Sequence, residues 1–185
     1  MSGRPVPRPG GRSARVQEAV RTALRELEAE VGRSALTVPL VAARAGVTPS
    51  TVYRRWGDLQ ILLSDAAVER LRPDAPPEDH GSLAADLRAR AEQFLEETAT
   101  PAGRSYLRDV LLGDPEGGNA GRCSEYAAEQ IRTLLDRAAG RGEAAPDAET
   151  VLDRVVAPLV HRVLFRPDGL DTAYAHRLVR DALED

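Results

Sequence analysis

The chain has 185 residues and a single cysteine, so an intramolecular disulfide is excluded, and no apolar run approaches the roughly 20 residues needed to cross a bilayer. All 25 basic residues are arginine, and residues 1–56 hold ten of them against four glutamates, a net charge of +6. Residues 57–185 carry −10. This division predicts a basic head that meets nucleic acid and an acidic body that repels it. The single cysteine predicts a cytoplasmic location.

The first residues differ in composition from those that follow. Residues 1–12 consist largely of Pro, Gly and Arg, and they are predicted to form a disordered basic arm. From Ser13 to Val31, apolar residues recur every three or four positions, which indicates an amphipathic helix. This first helix is expected to pack behind the segment that follows it.

Two short helices around a tight turn are predicted between Leu36 and Leu63. Thr37 can cap the first of them, and Gly46 can end it in the left-handed backbone conformation. Thr48 and Pro49 suit the cap and first residue of the next helix. Two helices joined by three or four residues that include a glycine are typical of a helix-turn-helix, placed here at residues 37–56.

The second of these helices has a polar outer side rich in hydrogen-bond donors. Hydroxyls and a tyrosine suit phosphates, and Arg54 and Arg55 are predicted to contact base edges in a major groove. The alternative for this second helix is a solvated surface helix. Arg44, on the preceding helix, is a candidate phosphate ligand. The predicted DNA-binding residues are Thr37, Arg44, Thr48, Pro49, Ser50, Thr51, Tyr53, Arg54 and Arg55.

The same stretch resembles the DNA-binding signature of the TetR family of bacterial transcriptional regulators. Residues that match the family pattern are Thr37, Val41, Ala42, Ala45, Gly46, Val47, Thr48, Thr51, Tyr53, Trp56 and Leu62. Two positions depart from it: Leu59 stands where the family usually has a lysine that binds phosphate, and Trp56 replaces a phenylalanine. The resemblance implies that Thr51 and Tyr53 contact phosphates.

The remainder of the chain is predicted to be helical, which makes the fold all-α. A connecting helix follows the motif, and residues 73–82 and 113–122 are predicted loops because they are rich in Pro, Asp or Gly. The further predicted helices cover residues 83–98, 101–112, 126–139, 147–165 and 170–183. The predicted domains are the disordered arm (1–12), a DNA-binding domain (13–57), a connecting helix (58–72) and a ligand-binding and dimerisation domain (73–185).

The stretch Asp147–Phe165 is apolar around most of its circumference, so both of its sides are expected to be buried. One side can face the core and the other a second copy of the chain, with Pro158 bending the helix between them. The resemblance likewise implies a homodimer assembled through the last two long helices. The predicted interface residues are Val155, Leu159, Val163, Tyr174 and Leu178.

The resemblance further implies that a small-molecule effector binds among the middle helices and releases DNA. Aromatic and polar side chains within an apolar body can orient such a ligand, although each is individually more often a core residue. The candidates are Phe94, Tyr106, Tyr126 and His161.

The predicted function is therefore that of a sequence-specific DNA-binding transcriptional regulator, a repressor released from a palindromic operator by a small molecule. The alternative is a helical ligand-binding or interaction protein that has lost operator binding, as Leu59 permits. Catalysis is not expected: His80, His161 and His176 are too scattered for a metal pair, and Cys123 has no base beside it in the sequence. No cofactor and no metal are predicted.

Overall fold

In the computed structural model, which describes residues 11–113 and 116–184, every regular element is a helix, so the all-α prediction is confirmed for that part of the chain. No helix within those ranges is long and apolar enough to span a membrane. The helices are α1 (Arg12–Val31), α2 (Val38–Arg44), α3 (Pro49–Trp56), α4 (Leu59–Leu71), α5 (Leu83–Thr98), α6 (Pro101–Leu112), α7 (Gly118–Gly140), α8 (Ala148–Val151), α9 (Ala157–Phe165) and α10 (Thr172–Glu184).

The chain divides into two compact units, Met1–Leu62 and Leu63–Asp185, called here the head and the body. In the head, α2 packs against both α1 and α3, as their apolar periodicities predict. Its core side chains are at most 5% exposed, and they are Val20, Ala23, Leu24, Leu27, Leu36, Val38, Val41, Ala42, Val52, Trp56 and Leu62. Residues 1–10 of the predicted arm lie outside the described residues. Its last residue, Arg12, is the first residue of α1.

The body is built around α5, which packs against α6, α7, α9 and α10. Side-chain caps fix the first turns of α5 and α6. Ser82 Oγ accepts the N–H of Ala85 at 3.3 Å, and Thr100 Oγ1 accepts the N–H of Gly103 at 2.9 Å. Gly103 also brings α6 close to the end of α5, where a Cβ at this position would lie 2.6 Å from the Cα of Thr98. Only a glycine fits this crossing.

The predicted loop over residues 113–122 is wrong in its second half, because α7 begins at Gly118. Tertiary contacts hold this glycine-rich start in a helix. Asn119 donates to the Oγ of Ser64 at 2.9 Å, and Arg122 donates to Glu69 at 2.7 Å. Both partners lie on α4, more than 50 residues away in the chain, so local composition gave no sign of them.

A π-helical turn at Leu152–Val156 joins α8 to α9. The N–H of Ala157 donates to the carbonyl of Leu152, five residues earlier, instead of the usual four. This wide turn ends at Val156, two residues before Pro158. Proline has no N–H to donate to a backbone hydrogen bond of a regular helix. The irregularity predicted at Pro158 is therefore a widened turn that begins before the proline.

Three of the predicted dimer-interface residues are buried inside the chain itself. Val155, Leu159 and Val163 are at most 3% exposed and belong to the body core, so their assignment to a partner surface is wrong. The physical reason is that α5 and α10 already cover this side of the α8–α9 stretch. Tyr174 is half-buried, and the guanidinium groups of Arg162 and Arg177 lie over its ring, 4.9 and 5.5 Å from the centroid. Leu178 is also half-buried.

Candidate nucleic-acid interface

The turn between α2 and α3 is held by backbone hydrogen bonds around Gly46. This residue has a φ of +68°, in the left-handed region that glycine adopts most readily because it has no side chain. Its N–H donates to the carbonyl of Ala43 at 3.2 Å, and the N–H of Val47 donates to that of Ala42 at 3.0 Å. These bonds satisfy carbonyls at the end of α2, so the helix stops where the glycine predicts.

The helix that follows, α3, is buried on one side and exposed on the other. Val52 is fully buried and Trp56 is 5% exposed, and both side chains fix the helix against the core of the head. Tyr53, Arg54 and Arg55 are exposed, with 48% of the Tyr53 surface accessible. A short, firmly anchored helix thus presents two cations and a phenol to solvent.

Three hydroxyl groups cluster at the start of α3. The Oγ1 of Thr48 lies 3.0 Å from the Oγ of Ser50 and 3.0 Å from the Oγ1 of Thr51. Thr48 is the N-cap residue of α3, as predicted, but its hydroxyl bonds its neighbours and accepts no backbone N–H. A hydroxyl both donates and accepts, so the cluster keeps capacity for a phosphate oxygen.

Arg54 and Arg55 are free in the part of the chain that the structure describes, since neither guanidinium forms an ion pair or a hydrogen bond there. Each offers five N–H donors in a planar fork, the geometry that matches phosphate oxygens and the O6 and N7 atoms of guanine. The two arginines predicted to contact bases are thus available to do so.

Arg44, the predicted phosphate ligand on α2, is placed differently. Its guanidinium donates to both carboxylate oxygens of Glu30, at 2.8 and 2.6 Å, and to Glu26 at 3.3 Å. The hydrogen bonds to Glu30 and Glu26 hold the pKa of Arg44 above its ordinary value, and the same contact lowers the pKa of Glu30. Arg44 therefore links α2 to α1, and a phosphate would have to compete with two carboxylates for it.

Two other predicted DNA-binding residues begin helices. The Oγ1 of Thr37 accepts the N–H of Leu40 at 3.3 Å and so caps α2, as predicted. Pro49 is the first residue of α3. Both are exposed, and their contacts with DNA remain predictions.

Comparisons with known proteins match both parts of the chain. Residues 20–65 match the family described as bacterial regulatory proteins, tetR family, and residues 77–182 match the tetracyclin repressor-like C-terminal domain. The second match alone spans more than half of the chain. This chain belongs to the TetR family. It is accordingly a DNA-binding transcriptional regulator, as its sequence predicts.

Individual TetR-family relatives agree with this assignment. The chain is 32% identical over 163 residues to a DNA-binding transcriptional repressor, TetR, of Mycobacteroides abscessus, covering 82% of this chain and 83% of that one. It is 25% identical over 181 residues to YdeS of Bacillus subtilis, an HTH-type transcriptional regulator, with 90% and 87% covered. The crystal structure of the TetR-family regulator SCO0332 superposes with a TM-score of 0.66 at 26% identity, covering 91% of this chain and 97% of that one.

The two departures from the TetR-family pattern lie at the end of the motif. Trp56 keeps an aromatic anchor in the core, as its 5% exposure shows. Leu59 is the half-buried first residue of α4 and carries no charge for a phosphate. The adjacent Asp58 accepts the N–H of Ile61 at 2.8 Å and caps the helix.

The body of this TetR-family chain contains a cavity of about 940 Å³. Its walls come from α5, α6, the end of α4, the segment 73–78 and one residue of α7. Of the four predicted effector-pocket residues, Tyr106 lines this cavity.

The other three predicted pocket residues do not line the cavity. Phe94 packs on the body core, and Tyr126 packs on a small cluster formed by Ala67, Val68 and Val110. His161 is exposed and lies beside Phe165, with ring centroids 5.3 Å apart. Aromatic character alone did not separate a pocket wall from a packing residue, because both occur on the same helices.

Arg90 is a cavity residue that sequence reasoning missed. It follows Leu87 by three positions and precedes Phe94 by four, so the helical spacing places it at the edge of the apolar side of α5. A charged residue at such a position was the available signal.

Proposed function

We propose that the chain is a homodimeric repressor that binds a palindromic operator in the cytoplasm and leaves it when a small molecule occupies the body cavity. The observation that carries the proposal concerns Arg54 and Arg55 on the exposed side of α3. Their guanidinium groups form no hydrogen bond or ion pair with the described residues. The relative from Mycobacteroides abscessus is itself described as a repressor, which supports the direction of control.

The docking geometry follows from the length and shape of α3. A helix of eight residues reads only a few base pairs, so two copies related by two-fold symmetry are needed for a specific site. Arg54 and Arg55 would enter the major groove, while Thr48, Ser50, Thr51 and Tyr53 would hold the flanking phosphates. With Leu59 in place of a basic residue, these hydroxyls and arginines would provide most of the grip.

Selection of bound duplexes from a random pool, with the full chain, tests this proposal. We expect an inverted repeat with half-site centres about 34 Å or more apart, and an affinity that falls steeply with salt concentration as counterions are retained on the DNA. Enrichment of no sequence, or binding that does not depend on salt, would instead support a helical protein that has lost operator binding.

The proposed dimer surface is formed by the apolar side chains of α9 and α10 that the chain itself leaves accessible. Phe165 is 71% exposed, and Tyr174 and Leu178 are half-buried. A second copy would cover them and remove this apolar surface from water.

A charge on that surface should separate the protomers. We expect Phe165→Asp to shift the mass measured by light scattering from dimer to monomer and to weaken operator binding, because each protomer then binds one half-site alone. Leu111→Asp, at an accessible leucine on α6 (57% exposed), is the control and should stay dimeric. A wild-type mass equal to that of one chain would contradict the homodimer.

A further inference from the structure

We infer that the body cavity takes a small ligand with a single carboxylate or phosphate group on an otherwise uncharged, largely apolar frame. The inference rests on the proposed function, because it names the chemical class of the effector. It follows from three properties of the cavity: a buried guanidinium nitrogen with no hydrogen-bond partner among the described residues, carboxylates that are already paired or exposed, and a partly apolar wall.

The guanidinium belongs to Arg90, on the side of α5 that lines the cavity. Its Nη1 atom is buried, and among the described residues it has no hydrogen-bond partner. Burial lowers the pKa of Arg90 from its ordinary value, while the charge of Glu97 opposes that effect without a hydrogen bond between the two. A buried donor that lacks an acceptor is costly, so an anionic ligand group that reaches this guanidinium is stabilised there.

The carboxylates of the cavity do not provide the missing acceptor. Asp86 is buried, but it accepts the backbone N–H of His80 at 2.7 Å and pairs with Arg141 at 3.0 Å. Glu92 is bonded to His176 at 2.5 Å. Among the residues described, Arg90 is thus the cation of the cavity that combines a buried donor with no ion-pair partner.

The remaining acidic side chains lie at the exposed edge of the cavity, and they are Asp74, Glu78, Glu96 and Glu97. Exposed charges are screened by water and salt, so they weakly oppose a single negative charge that passes them. A ligand with several negative charges meets this repulsion several times over. Arg70 and Arg72 line the same exposed edge, so its four acidic and two basic side chains keep a net negative charge. The edge therefore favours a ligand with one anionic group over polyphosphates and nucleic acid.

The frame of the ligand is indicated by the size of the cavity and by the apolar part of its wall. A volume of about 940 Å³ is at the upper end of the range for small-molecule sites. Tyr106, Ala89, Leu71 and Pro73 contribute aromatic and aliphatic surface. An aromatic or medium-chain acid can place its apolar part here and its anionic group at Arg90.

Matched pairs of acids and amides test the inference directly with the full chain and without DNA. The probes are benzoate and benzamide, 2-naphthoate and 2-naphthamide, octanoate and octanamide, with phenyl phosphate to separate phosphate from carboxylate recognition. Thermal shift and calorimetry should show that at least one acid binds about tenfold or more tightly than its amide, because a hydrogen bond to a charged group contributes that much.

Variants of α5 identify the group responsible. Arg90→Ala should reduce acid binding about tenfold or more and leave the amide unchanged, and Arg90→Lys should restore part of it. Arg88→Ala, at an exposed arginine on the same helix, is the control and should bind like wild type. If Arg90→Ala does not fold, Arg90→Met, which removes the charge but keeps a long side chain, takes its place and should show the same loss of acid binding.

Three outcomes would overturn the inference. They are equal binding of each acid and its amide, full acid binding by Arg90→Ala or Arg90→Met, and no binding of any acid in the series. Operator affinity is measured separately. An acid that binds through Arg90 but leaves operator affinity unchanged would contradict the proposed effector role and leave the anion site standing. If the protein binds no operator, the proposed function fails, but the acid titrations still test the anion site because they contain no DNA.

Discussion

Arg54 and Arg55 of the head and Arg141 of the body are placed in opposite ways. On α3 of the head, Arg54 and Arg55 extend into solvent without a partner in the described structure. In the body, Arg141 bonds three carboxylates at once, those of Asp79, Asp86 and Glu143. The first arrangement leaves two guanidinium groups available to an external anion. In the second, the guanidinium group of Arg141 is paired within the chain and holds the segment before α5 against the end of α7.

Membership of the basic head does not by itself make an arginine available. Arg44 belongs to the head but is paired with Glu26 and Glu30, like an arginine of the body. Net charge therefore predicts which region meets DNA, and the local ion pairs decide which side chains can bind it. Substitutions that separate stability from DNA affinity test this distinction.

The largest expected effect is on stability and lies in the body. In Gly103→Ala the new Cβ would overlap the carbonyl oxygen of Glu97, so α6 must move away from α5. We expect a loss of about 3 kcal/mol in the free energy of unfolding, at the upper end for overpacking, measured by urea denaturation. Gly121→Ala is the matched control, because a Cβ at this helical position on α7 meets nothing within 4 Å.

The control should gain about 0.5 to 1 kcal/mol, the difference in helix propensity between alanine and glycine. Operator affinity of the folded fraction should be unchanged in both variants. Equal effects of the two substitutions on stability would show that the close crossing of α5 and α6 is not maintained in solution.

The next effect is on DNA binding and lies in the head. Arg54→Ala and Arg55→Ala should each weaken binding to the selected operator by about 1 to 3 kcal/mol and relax the preference for particular bases. Fluorescence anisotropy with operator and scrambled duplexes at fixed salt measures both. Stability should change by less than about 0.5 kcal/mol, because both side chains are exposed and neither forms a hydrogen bond or an ion pair with another described residue.

Arg44→Ala is the comparison within the head. Because its guanidinium is held by Glu26 and Glu30, its removal should cost less operator affinity than either change on α3, and the loss should be similar for all sequences. Equal, sequence-independent losses from all three variants would contradict the assignment of Arg54 and Arg55 to base edges.

The smallest effect is a pH dependence in the body. The backbone N–H of Leu83 and the guanidinium of Arg141 both bond Glu143 and hold its pKa below the ordinary value of 4.5. A carboxylate with a lowered pKa stabilises the fold above pH 4.5, and this contribution is lost as the pH falls through the folded-state pKa. Glu143→Gln should therefore be less stable than wild type at pH 7.

That difference should shrink as the pH falls from 5 toward 3, measured by urea denaturation across about this range. Glu129→Gln, at an exposed glutamate of α7, is the control and should be closer to wild type at pH 7. A stability difference for Glu143→Gln that is constant across the range would show that the carboxylate charge is not what Leu83 and Arg141 stabilise.

Local signals in the sequence predicted most of the helices. The predicted bounds of α5 and α6 agree with the structure because Ser82 and Thr100 cap them directly. The start of α7 could not be predicted, since it depends on contacts of Asn119 and Arg122 with α4. Glycine-rich composition indicates a loop only when nothing distant orders the backbone.

The DNA-binding side of α3 was predictable because helical spacing separates Val52 and Trp56 from the arginines. The pairing of Arg44 was not, because its acceptors lie on α1, 14 and 18 residues earlier in the chain. The cavity was also outside the reach of pattern reasoning. Its walls come from segments between residues 70 and 130, and only their packing decides that Tyr106 lines it while Phe94 does not.

The π turn at Leu152–Val156 fixes the rotational phase of the helices on either side of it. Buried residues in this stretch repeat every four positions, at Val151, Val155, Leu159 and Val163. In a regular α-helix such a row rotates by about 40° per step, or roughly 120° over three steps, whereas the wider turn holds this rotation back. Deleting one residue of the turn would rotate Val151 by about 100° relative to Val163. Spacing, more than side-chain identity, is what this segment must keep.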